Sequence, residues 1–452
     1  MPRDNAPQLA DVTQALIEAA RAAGADAADA VAREGTSVSI DVRGGTLEHA
    51  ERADGAEAGL RVFIGQRQAC VSGSDIRPEA LRLMAERAVA MAREAPEDRW
   101  IGLADPAQLS ARRDAEGLEG FDPTPEPEPA QLQEDAARAE AAALAVKGVT
   151  QVSGASAGYG ASDTVIAASN GFMGRYRRSS RSVSCVAIAG TGAGMERDYD
   201  GDGRVFQSDL RDAAEIGRTA GERAVERLGA SAPKTGAYPV LFDERVAATL
   251  IGHLCGAVNG AAVARGSSFL SDRLGELVLS ESLTLTEDPL RPRGFASRPF
   301  DAEGLPTQRR DIVKDGVLTG WTLDLATARK LGMAPTGNAG RGLSSPPSPT
   351  NWNIALTQGE QSREDLLKQM GTGLLVTSLI GSTINPNTGD FSRGAAGFWI
   401  ENGEIVKPVN ECTIAGNLRD MLRRITPAND ARPWRGTVVP SLLVEGMTLA
   451  GN

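Results

Sequence analysis

The pattern of the chain changes at residues 229–237, which are Gly-Ala-Ser-Ala-Pro-Lys-Thr-Gly-Ala. Before this segment, stretches with helical spacing of apolar residues alternate with strand-like stretches. After it, one helix precedes many short strands separated by Gly, Pro and Asn turns, and the clearest predicted hairpins have their turns at Asp315-Gly316 and Asn402-Gly403. A segment of this composition is typical of a domain boundary. We therefore predict an α+β protein with an N-terminal α/β domain at 1–229 and a β-rich, mostly antiparallel C-terminal domain at 230–452.

The predicted elements of the N-terminal domain follow from the spacing of its apolar residues. Strand-like alternation runs from 37 to 42 and again from 59 to 72, the second time as a hairpin. An acidic connector near 118–130, with a proline at every second position from Pro123, leads into an Ala/Glu-rich helix. We predict short strands from 150 to 185, with an Asn170-Gly171 turn, and helices at 8–23, 78–93, 130–146 and 212–228.

The composition excludes several classes of partner. The net charge of −11, from 48 basic and 59 acidic residues, disfavours a nucleic-acid backbone because like charges repel. No apolar run approaches the length that spans a bilayer, and residues 1–5 lead into a polar-faced helix rather than an apolar signal core. The four cysteines have no CxxC spacing, which favours free thiols in a reducing compartment. We expect a soluble, cytoplasmic protein with no nucleic-acid or membrane partner.

One basic cluster departs from the acidic balance. It consists of four arginines on a predicted strand, where alternation would place some of them on one face: Arg175, Arg177, Arg178 and Arg181. Two interpretations stay open: a solvated strand face, or a surface for an acidic peptide or partner.

The segment Ile251-Gly-His-Leu-Cys-Gly, residues 251–256, lies on a helix that we predict to begin after Asp243 and to bury an apolar stripe. Its His253 is one of two histidines in the chain, and His49 lies between carboxylates in a predicted turn or surface strand. His253 and Cys255 are two residues apart, so they diverge around a helix and do not converge on one metal ion. We expect Gly252 and Gly256, one turn apart, to allow close approach of another backbone.

The run Asp198-Tyr-Asp-Gly-Asp-Gly has the spacing of a calcium loop. The carboxylates of Asp198, Asp200 and Asp202 take its first three ligand positions, and Asp209 takes the twelfth, where glutamate is usual. However, the residues before the loop do not form a helical pattern. A Ca²⁺ or Mg²⁺ site and a simple acidic turn therefore both remain possible.

Several motifs occur in the order found in one protein family. They are Met195-Glu-Arg-Asp-Tyr, Gly266-Ser-Ser-Phe-Leu-Ser-Asp, Asp301-Ala-Glu-Gly-Leu-Pro-Thr-Gln-Arg, Lys314-Asp-Gly-Val-Leu-Thr-Gly, Thr336-Gly-Asn, the block from Asn385 to Ile405, and Thr413-Ile-Ala-Gly-Asn-Leu. With them the chain resembles the TldD/PmbA metallopeptidase family over its whole length, and specifically the PmbA (TldE) branch. This resemblance implies a two-domain protein of a cytosolic proteolytic assembly, in which a TldD-type subunit pairs with a PmbA-type subunit. The family removes leader segments from modified peptides and degrades small unfolded polypeptides.

The same resemblance places the zinc motif His-Glu-x-x-x-His of active members at residues 251–256. Ile251 then occupies the position of the first histidine, Gly252 that of the catalytic glutamate and Gly256 that of the second histidine. The third ligand of TldD-type chains is a late cysteine, whereas the matching stretch 434–440 has none and Cys412 precedes it. Zinc binding needs imidazole or thiolate donors, and the chemistry needs a carboxylate. The resemblance therefore implies no cofactor in this chain and a zinc ion on a TldD-type partner.

Three functions follow as hypotheses. The first is a non-catalytic subunit, in a heterodimer with a TldD-type chain, that holds unfolded peptides by strand addition to a sheet edge. Its candidate peptide contacts are Thr388, Asp390 and Arg393, although a self-satisfied Asx-type turn is an alternative for them. The second is an autonomous peptidase with an atypical metal site at the Asp198 run. The third is a homodimeric peptide-binding module.

Overall fold

The computed structural model describes residues 8–451, so the predicted N-terminal segment 1–5 and the outermost ends of both predicted domains lie outside the described residues. Within them the chain forms helices and mostly antiparallel sheets, which confirms the α+β class. No helix in this part of the chain combines the length and apolar character needed to cross a bilayer.

The first half is built on a six-stranded antiparallel sheet with the strand order β3-β2-β1-β4-β5-β6. Its elements are α1 (Leu9–Ala22), β1 (Ala27–Arg43), β2 (Thr46–Ile64), β3 (Arg67–Gly73), α2 (Pro78–Glu94), α3 (Pro129–Leu144), β4 (Val149–Ala168), β5 (Met173–Ala189), β6 (Glu196–Arg204) and α4 (Ala213–Glu226). Three single-turn 3-10 helices lie at Pro106–Gln108, Gly192–Gly194 and Gln207–Asp209. The four predicted helices agree with α1 to α4 to within two residues at each end.

Strands β4 and β5 are longer than the sequence pattern predicted. The glycines of β4 lie within a continuous strand. A Cβ atom at Gly158 or Gly160 would lie 3.1 Å from the Ser182 or Ser180 hydroxyl of β5. These glycines therefore make room for a cross-strand neighbour and do not end the strand.

All four long helices pack on one face of this sheet. Helices α1 and α2 cover Ala28, Ala30 and Ala32 of β1, and helices α3 and α4 cover Val38 and Ile40 of the same strand. Since side chains alternate along a strand, the odd-numbered residues of β1 point to the other face. Residues of the second half cover part of that face, where Val31 and Ile166 pack against Phe300.

The second half contains a larger core enclosed by three sheets. Its elements are β7 (Gly236–Phe242), α5 (Glu244–Ala257), α6 (Gly260–Ala264), β8 (Leu285–Glu287), β9 (Arg310–Lys314), β10 (Val317–Leu318), α7 (Leu325–Leu331), β11 (Ala339–Gly340), β12 (Ser348–Pro349), β13 (Ile354–Leu356), α8 (Arg363–Met370), β14 (Gly373–Ile384), β15 (Asp390–Glu401), β16 (Glu404–Asn417), α9 (Leu418–Arg423), β17 (Ile425–Pro427), β18 (Thr437–Val438) and β19 (Leu442–Ala450).

The sheet orders of this half are β10-β9-β8-β13-β18, β11-β12 and β16-β15-β14-β7-β19-β17. In the last sheet β16 also pairs with β19, so five of its strands close into a ring. Two predicted hairpin turns are confirmed, because Asp315-Gly316 and Asn402-Gly403 both have the positive φ angles of a type I′ turn. Helix α5 lies in this core, against β7 and β14.

Candidate functional site

Helix α5 carries the 251–256 segment and is fixed at its N-terminus. The Asp243 carboxylate accepts a hydrogen bond from the Arg245 backbone N–H at 3.1 Å, which caps the helix. Glu244, the first helical residue, forms ion pairs with Arg432 and Arg435 at 2.7 and 3.4 Å. The predicted apolar stripe is buried, with Ala247 and Ile251 beside it, and comprises Val246, Leu250, Leu254 and Val258. Ile251 is therefore a core residue with no solvent exposure.

Gly252 and Gly256 lie on the opposite, solvent-exposed face of α5. A Cβ atom built on either glycine has no heavy atom within 4 Å. Our expectation that they permit close approach of another backbone is therefore wrong for contacts with residues 8–451, because no described residue approaches their side of the helix. The two glycines leave a flat, accessible surface on the helix.

His253 and Cys255 are half-buried on α5 and serve no common site. The His253 ring packs edge-on against Phe391, with 6.1 Å between ring centroids, and its buried Nε2 has no hydrogen-bond partner among the described residues. Burial lowers the pKa of His253, and the Arg393 guanidinium adds to this effect. Burial raises the pKa of the Cys255 thiol to about 12, so it is protonated at neutral pH.

The residues at 251–256 do not fit a zinc ion. Ile251, Gly252 and Gly256 offer no side-chain donor. The late cysteine, Cys412, is buried in β16, where its thiol lies 3.2 Å from the Ala395 carbonyl oxygen. In the 434–440 stretch the Trp434 ring stacks under the Arg204 guanidinium, 4.2 Å from the ring centroid. Across residues 8–451 no group of three or more His, Cys, Asp or Glu side chains could hold a metal ion.

The predicted calcium loop requires a correction. Asp198, Asp200 and Asp202 lie in the extended strand β6, where they alternate toward the helix-covered face instead of curving around one point. Arginines from four other elements or loops surround them. Asp200 accepts from Arg211 and Arg223 at 2.8 and 2.9 Å.

The other carboxylates of the run have arginine partners too. Asp198 pairs with Arg245 of α5 at 2.8 Å, and Asp202 pairs with Arg204 at 2.9 Å. Asp209 is not brought to them, because it pairs with Arg293 at 2.9 Å. The run thus connects the first sheet to α4 and α5. Its spacing resembled that of a metal loop because side chains on one face of a strand are also two residues apart.

The Asn385–Asp390 turn joins β14 to β15 and satisfies its own polar groups. The Asn385 side-chain oxygen accepts from the backbone N–H groups of residues 387 and 388, as in an Asx turn. The Thr388 hydroxyl donates to the Asp390 carboxylate at 2.6 Å, and Asn417 donates to both residues at 3.0 Å. These hydrogen bonds lower the pKa of Asp390. Thr388 and Asp390 are therefore engaged within the turn, which is the alternative that the sequence left open.

Arg393 differs from the other two candidate peptide contacts. Its Nε donates to the Gly381 carbonyl oxygen at 2.8 Å, and no carboxylate in the described chain pairs with it. It approaches the His253 ring closely enough to lower the pKa of that histidine. We call Gly252, His253, Gly256 and Arg393 together the α5 surface.

The α5 surface can bind but has no group for hydrolysis. It offers the Arg393 guanidinium, which has no carboxylate partner among residues 8–451, the neutral His253 imidazole and the open helix face. A zinc peptidase needs a metal-bound water and a carboxylate that takes its proton, and neither the ligands nor the carboxylate is present on this surface.

Sequence reasoning missed a set of buried charges between the two halves. Asp29 and Arg61 face each other on β1 and β2 and pair at 2.5 Å, and Arg341 of the second half contacts the same carboxylate. The carboxyl group of Glu303 lies close enough to Arg61 for the guanidinium charge to oppose the rise of its pKa. These residues are isolated charges in the sequence, and only the pairing of distant segments brings them together.

Three family models match the chain in order. They are the PmbA/TldA metallopeptidase domain 1 over residues 28–92, the central domain over 122–228 and the C-terminal domain over 235–451. Among curated proteins, the Metalloprotease PmbA of Escherichia coli O157:H7 is 42% identical over 430 residues, covering 94% of this chain and 93% of its own. A Metalloprotease PmbA homolog of Haemophilus influenzae is 36% identical over 450 residues, covering 98% and 96%.

Solved structures share the whole fold. A proposed modulator of DNA gyrase from Bacteroides thetaiotaomicron superposes with a TM-score of 0.91 at 27% identity, covering 98% of this chain and 99% of its own. TldE from Thermococcus kodakarensis superposes with a TM-score of 0.85 at 22% identity, covering 97% and 100%. At that identity the second likeness concerns the fold alone.

Proposed function

Because the chain belongs to the PmbA/TldA metallopeptidase family, we propose that it is a PmbA/TldE-like subunit of a cytoplasmic TldD/TldE-type protease. In this proposal the zinc ion and the catalytic glutamate lie on a TldD-type partner, and the substrates are small unfolded or leader-bearing peptides. The proposal rests on the contrast between the N-terminal cap and buried face of α5 and its exposed face. The helix keeps its cap and its buried stripe, yet its exposed face carries glycines where catalysis needs donors.

The α5 surface borders the space that this subunit shares with its partner. Its glycines leave room on the exposed helix face, and its guanidinium has no carboxylate partner within residues 8–451. An arginine side chain at either glycine would fill this space without straining the helix, since both positions are helical and arginine has a higher helix propensity than glycine.

Gly252→Arg and Gly256→Arg test this placement. We expect each variant to fold normally. Each should then reduce either of two quantities: assembly with a co-expressed TldD-type chain, measured by native mass spectrometry, or peptide cleavage by the assembled complex. Gly320→Arg is the matched control, because Gly320 also has open space around it and no positive φ. Unchanged assembly and unchanged cleavage in both α5 variants would contradict the placement. A homodimer that persists in the presence of the TldD-type chain would instead favour a peptide-binding module.

Strand addition of peptide fits the β2 edge better than the Asn385–Asp390 turn. Strand β3 pairs only with residues 58–64 of β2, so residues 46–57 have β1 on one side and no described strand on the other. Most of these residues are exposed. Such an edge presents unpaired backbone donors and acceptors that an extended peptide can use.

Amide hydrogen exchange tests this position. We expect an unfolded peptide to slow exchange across residues 46–57 and to leave the paired residues 58–64 unchanged. Equal exchange with and without peptide, under conditions where binding is saturated, would place the peptide elsewhere.

The free thiols support the cytoplasmic location. None of the four cysteines forms a disulfide, as is usual in a reducing compartment. The autonomous-peptidase alternative loses its site, because Asp198, Asp200 and Asp202 are each paired with arginine in β6.

A further inference from the structure

A small cavity lies between the two halves, on the face of the first sheet that the helices do not cover. Its floor is a row of side chains in register across three strands, formed by Arg33 of β1, Thr164 of β4 and Tyr176 of β5. Residues of the second half close the cavity, including Arg298, Phe300 and Arg341. Its volume is about 80 Å³.

Arg341 lines this cavity and carries an unsatisfied hydrogen-bond donor. Its side chain is 2% exposed, and one of its terminal nitrogens, Nη1, contacts the Asp29 carboxylate. The other, Nη2, is buried and has no hydrogen-bond partner in residues 8–451. A buried guanidinium N–H without an acceptor is costly, so an acceptor in the cavity would stabilise it.

Arg298 adds a second charge that no carboxylate neutralises. Its guanidinium stacks on the Trp352 ring, 3.6 Å from the centroid, and its Nε makes one long contact of 3.4 Å to the Ala296 carbonyl oxygen. Burial lowers the pKa of Arg298 to about 10, and the nearby positive charges of Arg178 and Arg33 contribute. Within the described chain, neither Arg298 nor Arg33 forms an ion pair with a carboxylate.

The one acidic group in the cavity wall is already engaged. Asp301 accepts backbone N–H bonds from residues 303 and 305 on one oxygen, at 2.9 and 3.0 Å, and from residue 339 on the other, at 3.0 Å. It therefore holds the turn that closes the cavity, and burial raises its pKa. The cavity thus has excess positive charge and donors that lack acceptors.

We propose that this cavity binds one oxyanion group, a carboxylate or a phosphate, through Arg33, Arg298 and Arg341. The planar guanidinium matches both groups, since its paired N–H donors fit two oxygens at once. A volume of about 80 Å³ exceeds the roughly 30 Å³ share of one water molecule, so a single anionic group fits but a large side chain does not. This site goes beyond the proposed proteolytic role and does not depend on it.

The surface beside the cavity is compatible with two ligands, a free anion and the C-terminal carboxylate of a peptide. A wider cleft of about 290 Å³ shares Arg33 with the cavity and is also lined by Ser162, Arg178 and Phe295. Arg178 donates to the carbonyl oxygens of residues 295 and 297, so it positions the segment between the two spaces. A peptide could lie in the cleft with its C-terminal carboxylate in the cavity, or a free phosphate could occupy the cavity alone.

Calorimetric titration of the full chain at constant ionic strength tests the proposal. The probes are inorganic phosphate, N-acetyl-dialanine and the C-terminal amide of that dipeptide. We expect saturable binding of phosphate or of the free-acid dipeptide, and none of the amide. Binding of phosphate alone identifies a free anion as the ligand, whereas binding of the free-acid dipeptide alone identifies a peptide carboxylate. No saturable binding of either anion overturns the proposal.

Matched variants locate the site. Arg33→Met and Arg298→Met keep an unbranched apolar stem and remove the charge, and each should weaken binding about tenfold or more, as expected for a lost charge-assisted hydrogen bond. Arg177→Met is the control, because Arg177 lies on the opposite face of β5 and stacks on Phe121. Arg33 is exposed, so its variant is informative even if Arg298→Met fails to fold. Equal affinity in Arg33→Met, Arg298→Met and wild type would contradict the site.

Discussion

Ile251 has a structural role within the 251–256 segment of α5. Its side chain is fully buried in the core of the second half. We expect Ile251→Ala to lower the free energy of unfolding by about 2–5 kcal/mol, because it leaves a cavity. Gly256→Ala, one turn away on the exposed face, should raise it by about 0.5–1 kcal/mol. Urea denaturation measures both, and a loss of stability in Gly256→Ala would show that the exposed face is not open.

His253 offers a direct measure of the environment beside the α5 surface. Burial and the nearby Arg393 both disfavour the imidazolium, so its pKa should lie below the usual 6.5. The chain has two histidines, so proton NMR can follow both, and His49→Gln leaves only the His253 resonance. Arg393→Met should raise the pKa of His253 but leave it below 6.5, because the burial remains. A titration at or above 6.5 in the otherwise unchanged protein would contradict the described packing.

Strand β6 contains the Asp198 run, for which the sequence left a metal loop and an acidic turn open, and the run forms neither. Asp200 is 3% exposed and pairs with two arginines, one of them on α4. We expect Asp200→Asn to lower the free energy of unfolding by about 3 kcal/mol, since Asp200 is buried and the partly exposed guanidinium groups of Arg211 and Arg223 both lose its charge, although Arg211 keeps Glu215 as a partner. Asp209→Asn, which breaks a more exposed pair, should cost less than about 1 kcal/mol. A rise in thermal stability of the unsubstituted protein with millimolar Ca²⁺ would restore the loop hypothesis.

The sequence could predict the elements that depend on residues close together in the chain. It could not predict contacts between residues that are far apart in the chain. Helices α1 to α4 and the Asp315-Gly316 and Asn402-Gly403 turns depend on local periodicity and on local backbone preference, and they were predicted to within a few residues. The partners of Asp198, by contrast, come from residues 227 and 245. Carboxylates spaced by two residues suit both a metal loop and a paired strand, and only the distant arginines decide between them. The cavity of Arg33, Arg298 and Arg341 could not be predicted for the same reason.

At the scale of the whole molecule, the buried charges between the two halves make stability depend on pH. Burial, with the nearby charge of Asp301, raises the pKa of Glu303 above its usual 4.5. Above pH 4.5 the native state therefore holds a proton that the unfolded chain has lost, so stability falls as the pH rises. The slope is at most about 1.4 kcal/mol per pH unit.

Glu303→Gln should remove this contribution and flatten the decline of stability above pH 4.5. Denaturation at several pH values measures it, with the exposed Glu94→Gln as the control. A decline that is as steep in Glu303→Gln as in the unsubstituted protein would show that Glu303 ionises normally in its buried position.

We propose that this chain supports proteolysis without holding the zinc ion. The most direct measurement is chelator-sensitive cleavage of an unfolded peptide by the purified chain, by a TldD-type chain and by their mixture, with zinc content determined for each. We predict cleavage by the mixture, loss of that cleavage when the glutamate of the partner's His-Glu-x-x-x-His motif is changed to glutamine, and no zinc on this chain. Stoichiometric zinc on this chain together with chelator-sensitive cleavage by it alone would contradict the account.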